Sequence, residues 1–213
     1  MLETNDVVYV VDDDLAILDS LKWLLESNGY IVICHHSAEN FLKFLENTDQ
    51  STPSCALIDV KMKGMSGLDL QEKLIDNGFN FPVSFITGYA DIPMVSKAFR
   101  HGAIDFIQKP INEYALFELI NRMLTKSYGM KKELMEITRI KEKLETLTRR
   151  EKDVVRHIIS GKLNKEIAEV MGIEVKTVEA HRANLMDKLQ VNRPTTLLLL
   201  LLRLEQAKVT AIE

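Results

Sequence analysis

Five short runs rich in valine, isoleucine and aromatic residues alternate with amphipathic helical stretches through residues 1–125. This alternation is the strongest constraint on how the chain can fold. The β-like runs lie near 7–11, 30–34, 55–59, 82–87 and 104–108, and the helical patterns near 15–28, 38–47, 67–77, 91–101 and 112–127. Leu15, Leu18, Leu21, Leu24 and Leu25 show the three-and-four spacing of an amphipathic helix. Strands that alternate with helices imply βαβ units, right-handed crossovers and a parallel sheet covered on both faces. The expectation is a doubly wound, five-stranded α/β domain.

Asp12 and Asp13, Asp59, Thr87 and Lys109 stand at or just beyond the ends of four of these runs. Open parallel sheets bind ligands outside the carboxyl ends of their strands. The topology therefore gathers three carboxylates, a hydroxyl and an ammonium at one sheet edge. Carboxylates so placed repel one another unless a cation joins them, and hard oxygen donors suit Mg²⁺. A metal, a nucleophilic carboxylate and a phosphate-binding lysine together point to phosphoryl transfer onto aspartate.

The second half is helical throughout. Met130, Leu134, Ile137, Ile140, Leu144 and Leu147 form an apolar stripe over 128–147. The stripe is either a short coiled-coil seam or a face packed on one neighbour. Thr148 with Glu151 makes a capping box for a helix that stops near Gly161. Asn164 is the expected cap of a helix over Lys165–Met171, Gly172 ends it, and a longer helix covers Val175–Leu189. Arg193-Pro194 opens the last helix, and two helices joined by a short glycine turn form a helix-turn-helix.

Charge divides the chain in the same way. Residues 1–124 carry 9 Lys and Arg against 18 Asp and Glu, residues 125–143 carry 6 against 3, and residues 144–213 carry 12 against 10. An acidic front and a mildly basic back suggest two modules with different partners. Cys34 and Cys55 fit no metal or disulfide spacing and read as core thiols, and paired His35 and His36 lack a third ligand. The polar start carries no signal peptide, and the six-leucine run 197–202 is far short of the ~20 residues of a membrane span. The expected location is the cytoplasm, with no membrane partner.

Val11-Asp12-Asp13-Asp14, Ile58-Asp59-Val60-Lys61-Met62 with Met65-Ser66-Gly67, Ile86-Thr87-Gly88 and Phe106-Ile107-Gln108-Lys109-Pro110 appear in order. Together they resemble the receiver domain of bacterial two-component response regulators, over about 6–124. The resemblance implies a flavodoxin-like sheet of order 2-1-3-4-5, with Asp59 accepting a phosphoryl group from a cognate sensor histidine kinase. It implies that Asp13 binds Mg²⁺ (or Mn²⁺) directly and Asp12 through water, with Asp59 and the backbone carbonyl of Lys61 as further ligands. Lys109 would pair with the phosphoryl oxygens, Thr87 would move to bond them and Phe106 would turn inward. It also implies a cis Lys109-Pro110 peptide. The stretch from Thr87 to Met94 is similar to the subgroup typified by FixJ, in which residues 88–106 would form the output face. One departure is Lys63, where the family usually has proline. Asp14 reads as a first-turn helix acid.

Leu147-Thr-Arg-Arg-Glu, Asn164-Lys-Glu-Ile-Ala and Lys176-Thr-Val-Glu-Ala-His-Arg-Ala-Asn-Leu-Met-Asp-Lys-Leu resemble the LuxR-type DNA-binding domain. In its recognition helix Val178, Leu185 and Leu189 face inward with Met186 beside them. Glu179, Ala180 and Ala183 are the expected base-facing residues, since glutamate can accept from cytosine and alanine can touch a thymine methyl. Lys165, Lys176, Thr177, Arg182 and Lys188 are the expected phosphate contacts. His181 either packs under the helix or meets a phosphate. Glu174 stands where the family often has a Ser or Thr cap. The leucine run suggests a dimer contact, the alternative being a fully buried helix.

These readings expect a receiver over 1–124, a helical linker over 125–143 and an all-α four-helix LuxR-type domain over 144–213. The whole is a transcription regulator that dimerises on phosphorylation, binds promoter DNA, works with RNA polymerase and activates transcription. The alternative is a phosphorylation-independent regulator or adaptor. Two rivals fit less well: a haloacid-dehalogenase-type phosphatase would have an acid at the position of Lys61, and a quorum-sensing receptor would have a lipid-signal pocket in its front half. A non-enzymatic role is expected.

Overall fold

The computed structural model describes residues 6–88 and 91–209. Two compact units divide it, residues 1–132 and 133–213.

In the first unit β1 (Val7–Val11), β2 (Ile31–His35), β3 (Ser54–Asp59), β4 (Val83–Thr87) and β5 (Phe106–Gln108) form one parallel sheet of order β2-β1-β3-β4-β5. The helices α1 (Leu15–Glu26), α2 (Ala38–Leu45), α3 (Gly67–Asp76), α4 (Ile92–Arg100) and α5 (Glu113–Glu145) connect and follow the strands. Side chains on a strand alternate faces, and the two cores obey that rule. Val7, Tyr9, Val11, Ala56 and Ile58 join one cluster with α2, α3 and α4. Val8, Val10, Cys55 and Leu57 join the other with α1 and α5. This double burial is why the strands are apolar on both faces.

Helix starts are set by short polar side chains. Ser37, Ser66 and Asp91 accept backbone N–H groups at the starts of α2, α3 and α4. Asp14 is itself the cap of α1, its carboxylate accepting the Ala16 N–H at 2.9 Å, one position earlier than a first-turn acid.

The expected linker lies inside α5, which runs unbroken from Glu113 to Glu145. No proline interrupts this stretch, and Gly129 alone weakens it. In the second unit α6 (Arg149–Ile159), α7 (Asn164–Met171), α8 (Val175–Leu189) and α9 (Pro194–Val209) follow. Their core holds Val154, Ile158, Ile167, Val178, Leu185 and Leu197, with Ile137, Ile140 and Leu144 packed against it. That end of the stripe is thus a face packed on a neighbour, the second of the two alternatives, while Leu134 is exposed.

Leu197 and Leu201 are buried, whereas Leu198, Leu199 and Leu202 are exposed. The leucine helix is therefore not fully buried. Among the described residues no helix is long and apolar enough to cross a membrane.

Candidate functional site

The first candidate site forms where β1, β3, β4 and β5 end. Strand register aligns Val11 with Ile58 and Asp59 with Ile86, so the residues that follow converge at one edge. Asp12, Asp59 and Thr87 are all buried there. The Lys109 ammonium reaches between two carboxylates, 2.7 Å from Asp12 Oδ2 and 2.7 Å from Asp59 Oδ1. Lys109 is held by its own N–H, which donates to the Thr87 carbonyl at 2.8 Å, and its bond to Pro110 is cis.

Electrostatics follow from this burial. Desolvation pushes the Asp59 carboxyl above its ordinary 3.8, against the opposing pull of Lys109. Burial alone would lower the Lys109 ammonium, but the hydrogen bonds and charges of Asp12 and Asp59 outweigh it and raise it above 10.5. Asp59 is thus a desolvated, more basic carboxylate beside a firmly charged cation. That is a suitable nucleophile next to a suitable anion partner.

The ammonium of Lys109 stands between two of the three carboxylates, and the third turns to a backbone N–H. Among the described residues no group of three or more His, Cys, Asp or Glu side chains is arranged to hold a metal. Asp12 and Asp59 share the single positive charge of Lys109, and Asp13 Oδ2 accepts the backbone N–H of Lys63 at 3.3 Å. Asp12 Oδ1 takes the N–H of Asp14 at 2.9 Å, and Asp59 Oδ2 takes that of Lys61 at 2.6 Å. The donor chemistry nevertheless fits a hard cation, since two buried carboxylates already share one positive charge with a third beside them.

Phe106 is half-buried, its ring 5.1 Å from that of Phe85 and 5.8 Å from that of Phe99. A residue missed in the sequence is Glu39, whose carboxylate accepts the Met65 N–H at 3.1 Å and so steadies the loop after Asp59. No spacing signal ties it to that loop. His35 packs against Phe41 and Phe44, and burial lowers its pKa.

The second candidate site is the helix-turn-helix of α7 and α8. Gly172 makes the turn at φ 63°, a left-handed conformation suited to glycine. Val178, Leu185 and Leu189 are buried, with Met186 half-buried beside them. Lys165, Lys176, Thr177, Glu179, Ala180 and Ala183 are exposed, and His181 is half-buried.

Two of the expected phosphate-contacting cations have partners within the domain. Lys188 Nζ lies 2.7 Å from Glu151 Oε2, and Glu151 is buried while also accepting the Thr148 N–H at 2.7 Å. Arg182 donates to Asn164 Oδ1 at 3.0 Å, tying α8 to α7. Asn164 is therefore not a helix cap; Glu166 instead reaches back to the Leu163 N–H at 2.7 Å. Both cations brace the domain because buried or half-buried acceptors from neighbouring helices lie within reach. Glu174 makes no side-chain cap bond.

A doubly wound sheet with an Asp-Asp-Lys cluster at its carboxyl edge, joined to a helix-turn-helix, defines the class of signal-responsive DNA-binding regulators. Family comparison makes this specific. The response regulator receiver domain model matches residues 8–121, and that of the bacterial regulatory proteins of the luxR family matches residues 145–201. The chain belongs to the two-component response regulators that pair a receiver with a LuxR-type domain.

It is 40% identical to the response regulator protein TmoT of Ectopseudomonas mendocina, over 90% of this chain and 86% of that one. It is 36% identical to the transcriptional regulatory protein FixJ of Rhizobium meliloti, over 88% and 90%. The solved structure of response regulator StyR superposes with a TM-score of 0.74 at 36% identity, covering 92% of this chain and 98% of that one.

Proposed function

We propose that Asp59 accepts a phosphoryl group from a sensor histidine kinase, and that this controls dimerisation and promoter binding. The observation that carries the reading is the Asp12–Lys109–Asp59 constellation at the carboxyl edge of the sheet. An Asp59 carboxylate oxygen attacks the phosphorus of a phosphohistidine; the P–N bond breaks and an acyl phosphate forms. Lys109, already 2.7 Å from Asp59, transfers its hydrogen bond to a phosphoryl oxygen. Asp12, Asp13, Asp59 and the Lys61 carbonyl would hold Mg²⁺ or Mn²⁺, which neutralises charge developing on the transferring group. Thr87, on the strand beside Asp59, is assigned to hydrogen-bond the phosphoryl group, and Phe106 to follow it inward.

In the second unit Glu179, Ala180 and Ala183 are assigned to base edges, and Lys165, Lys176 and Thr177 to phosphates. The exposure of all six supports this assignment. Arg182 and Lys188 are proposed as phosphate contacts too, each also bonded to a partner within the domain. The receiver is taken as residues 1–124, the linker as 125–143 and the DNA-binding domain as 144–213. Dimerisation of two modest DNA binders raises their effective affinity for a two-fold site. Activation with RNA polymerase, in the cytoplasm, completes this reading, and the likeness to a transcriptional regulatory protein supports its transcriptional part.

The test is intact mass and light scattering after incubation with Mg²⁺ and a small phosphodonor, for wild type and Asp59→Asn. One phosphoryl group on wild type alone, with a shift toward dimer, is expected. Absence of modification on the wild type overturns the acceptor assignment.

A further inference from the structure

We infer that Asn184 is a base-reading residue of α8, selecting an adenine in the major groove. The inference rests on the DNA-binding reading of the second unit and adds a residue that no spacing singled out.

The rotational setting of α8 is fixed from three sides. Val178, Leu185 and Leu189 are buried in the domain core. Arg182 is held by Asn164 on one flank, and Lys188 by Glu151 on the other. At about 100° per residue and with Ala180 as origin, the three buried residues lie at roughly 160°, 140° and 180°. The outward face is therefore centred at roughly −20°, where Asp187 lies, about 60° from Asn184 and about 80° from Glu179. On the same scale Asn184 sits at roughly +40° and Glu179 at roughly −100°, so Asn184 is the nearer of the two to the centre.

Asn184 is exposed, and its carboxamide has no hydrogen-bond partner among the described residues. Ala180 precedes it by about one turn and Ala183 by one residue, and both are also exposed. Their short side chains let the helix approach a base-pair floor closely, which brings a short carboxamide within reach. Lys176 and Asp187, the other polar groups on this arc, each offer only one kind of hydrogen-bonding atom when charged. Asparagine offers a donor and an acceptor side by side, the pattern that pairs with adenine N7 and N6.

The test is selection from a random-sequence DNA duplex library with the full chain, with and without phosphodonor, for wild type, Asn184→Ala and Asn184→Asp. Wild type should select a motif containing an A·T pair in each half-site that Asn184→Ala leaves unselected. Discrimination there should fall by roughly 5- to 150-fold, the range for one bidentate pair, with neighbouring positions unchanged. Asn184→Asp, which cannot donate, should shift the same position toward cytosine. An unaltered motif in both variants, or a uniform loss of binding, overturns the inference while the DNA-binding reading stands. Absence of any motif for wild type in both conditions overturns the inference and that reading together.

Discussion

Gly67 is the position where adding one methyl group should damage both stability and chemistry. It opens α3 directly behind the acceptor strand, and its N–H donates to the Val60 carbonyl at 3.0 Å. A Cβ there would stand 2.2 Å from the Asp59 carbonyl oxygen and 3.0 Å from Ile58 Cγ2. Against an ordinary contact of at least 3.4 Å, the first clash requires a shift of about 1.2 Å. The clashing atom is backbone, so no side-chain rotation relieves it. Either α3 moves away from the sheet or Asp59 moves out of line with Lys109. Gly67→Ala should therefore lose about 1–3 kcal/mol of stability, as an overpacked site does. Its phosphorylation rate should drop by about 10²-fold if Asp59 takes up the shift.

Gly129→Ala is the matched control. Gly129 lies in the exposed interior of α5 with nothing within 4 Å of an added Cβ, and should gain roughly 0.5–1 kcal/mol. Urea unfolding followed by far-UV circular dichroism measures stability. Intact mass over time with a small phosphodonor measures the rate. A Gly67→Ala protein within ~0.5 kcal/mol of wild type and phosphorylated at the wild-type rate would refute the close-approach argument.

Two further outcomes are expected. Lys63→Pro removes the N–H that engages Asp13, freeing that carboxylate. It should bind Mn²⁺ about two- to fivefold more tightly than Lys63→Ala, which keeps the N–H but loses the same charge; equal affinities in a paramagnetic titration would refute the competition. Glu151→Ala should cost the second unit about 2–3 kcal/mol by removing two charge-assisted hydrogen bonds. Burial pushes the Glu151 carboxyl up, but the hydrogen bonds of Lys188 and Thr148 outweigh it and hold it below 4.5. Its contribution is therefore complete above pH 4.5 and lost as pH falls through the lower folded value, and a wild-type minus variant difference that stays flat down to pH 2.5 would sink this account.

The alternation of strand and helix, the five residues at strand ends and the inward face of α8 could all be read from the sequence. Each depends on local periodicity: two along a strand, 3.6 around a helix, with ligand-bearing residues where a parallel strand stops. Asp59, Lys109 and the buried trio Val178, Leu185 and Leu189 lie where that logic puts them. The continuity of α5 was left open by the sequence, since the absence of a breaker permits a long helix without requiring one.

Only the tertiary structure decided which polar partner each charged group takes. Asp13 turns to a backbone N–H 50 positions away, Lys188 to Glu151 37 positions away and Arg182 to Asn164 18 positions away. No periodicity encodes such pairings. A charged side chain in a fold takes the nearest acceptor or donor that burial leaves unsatisfied, and distance through space, not along the chain, decides which one that is.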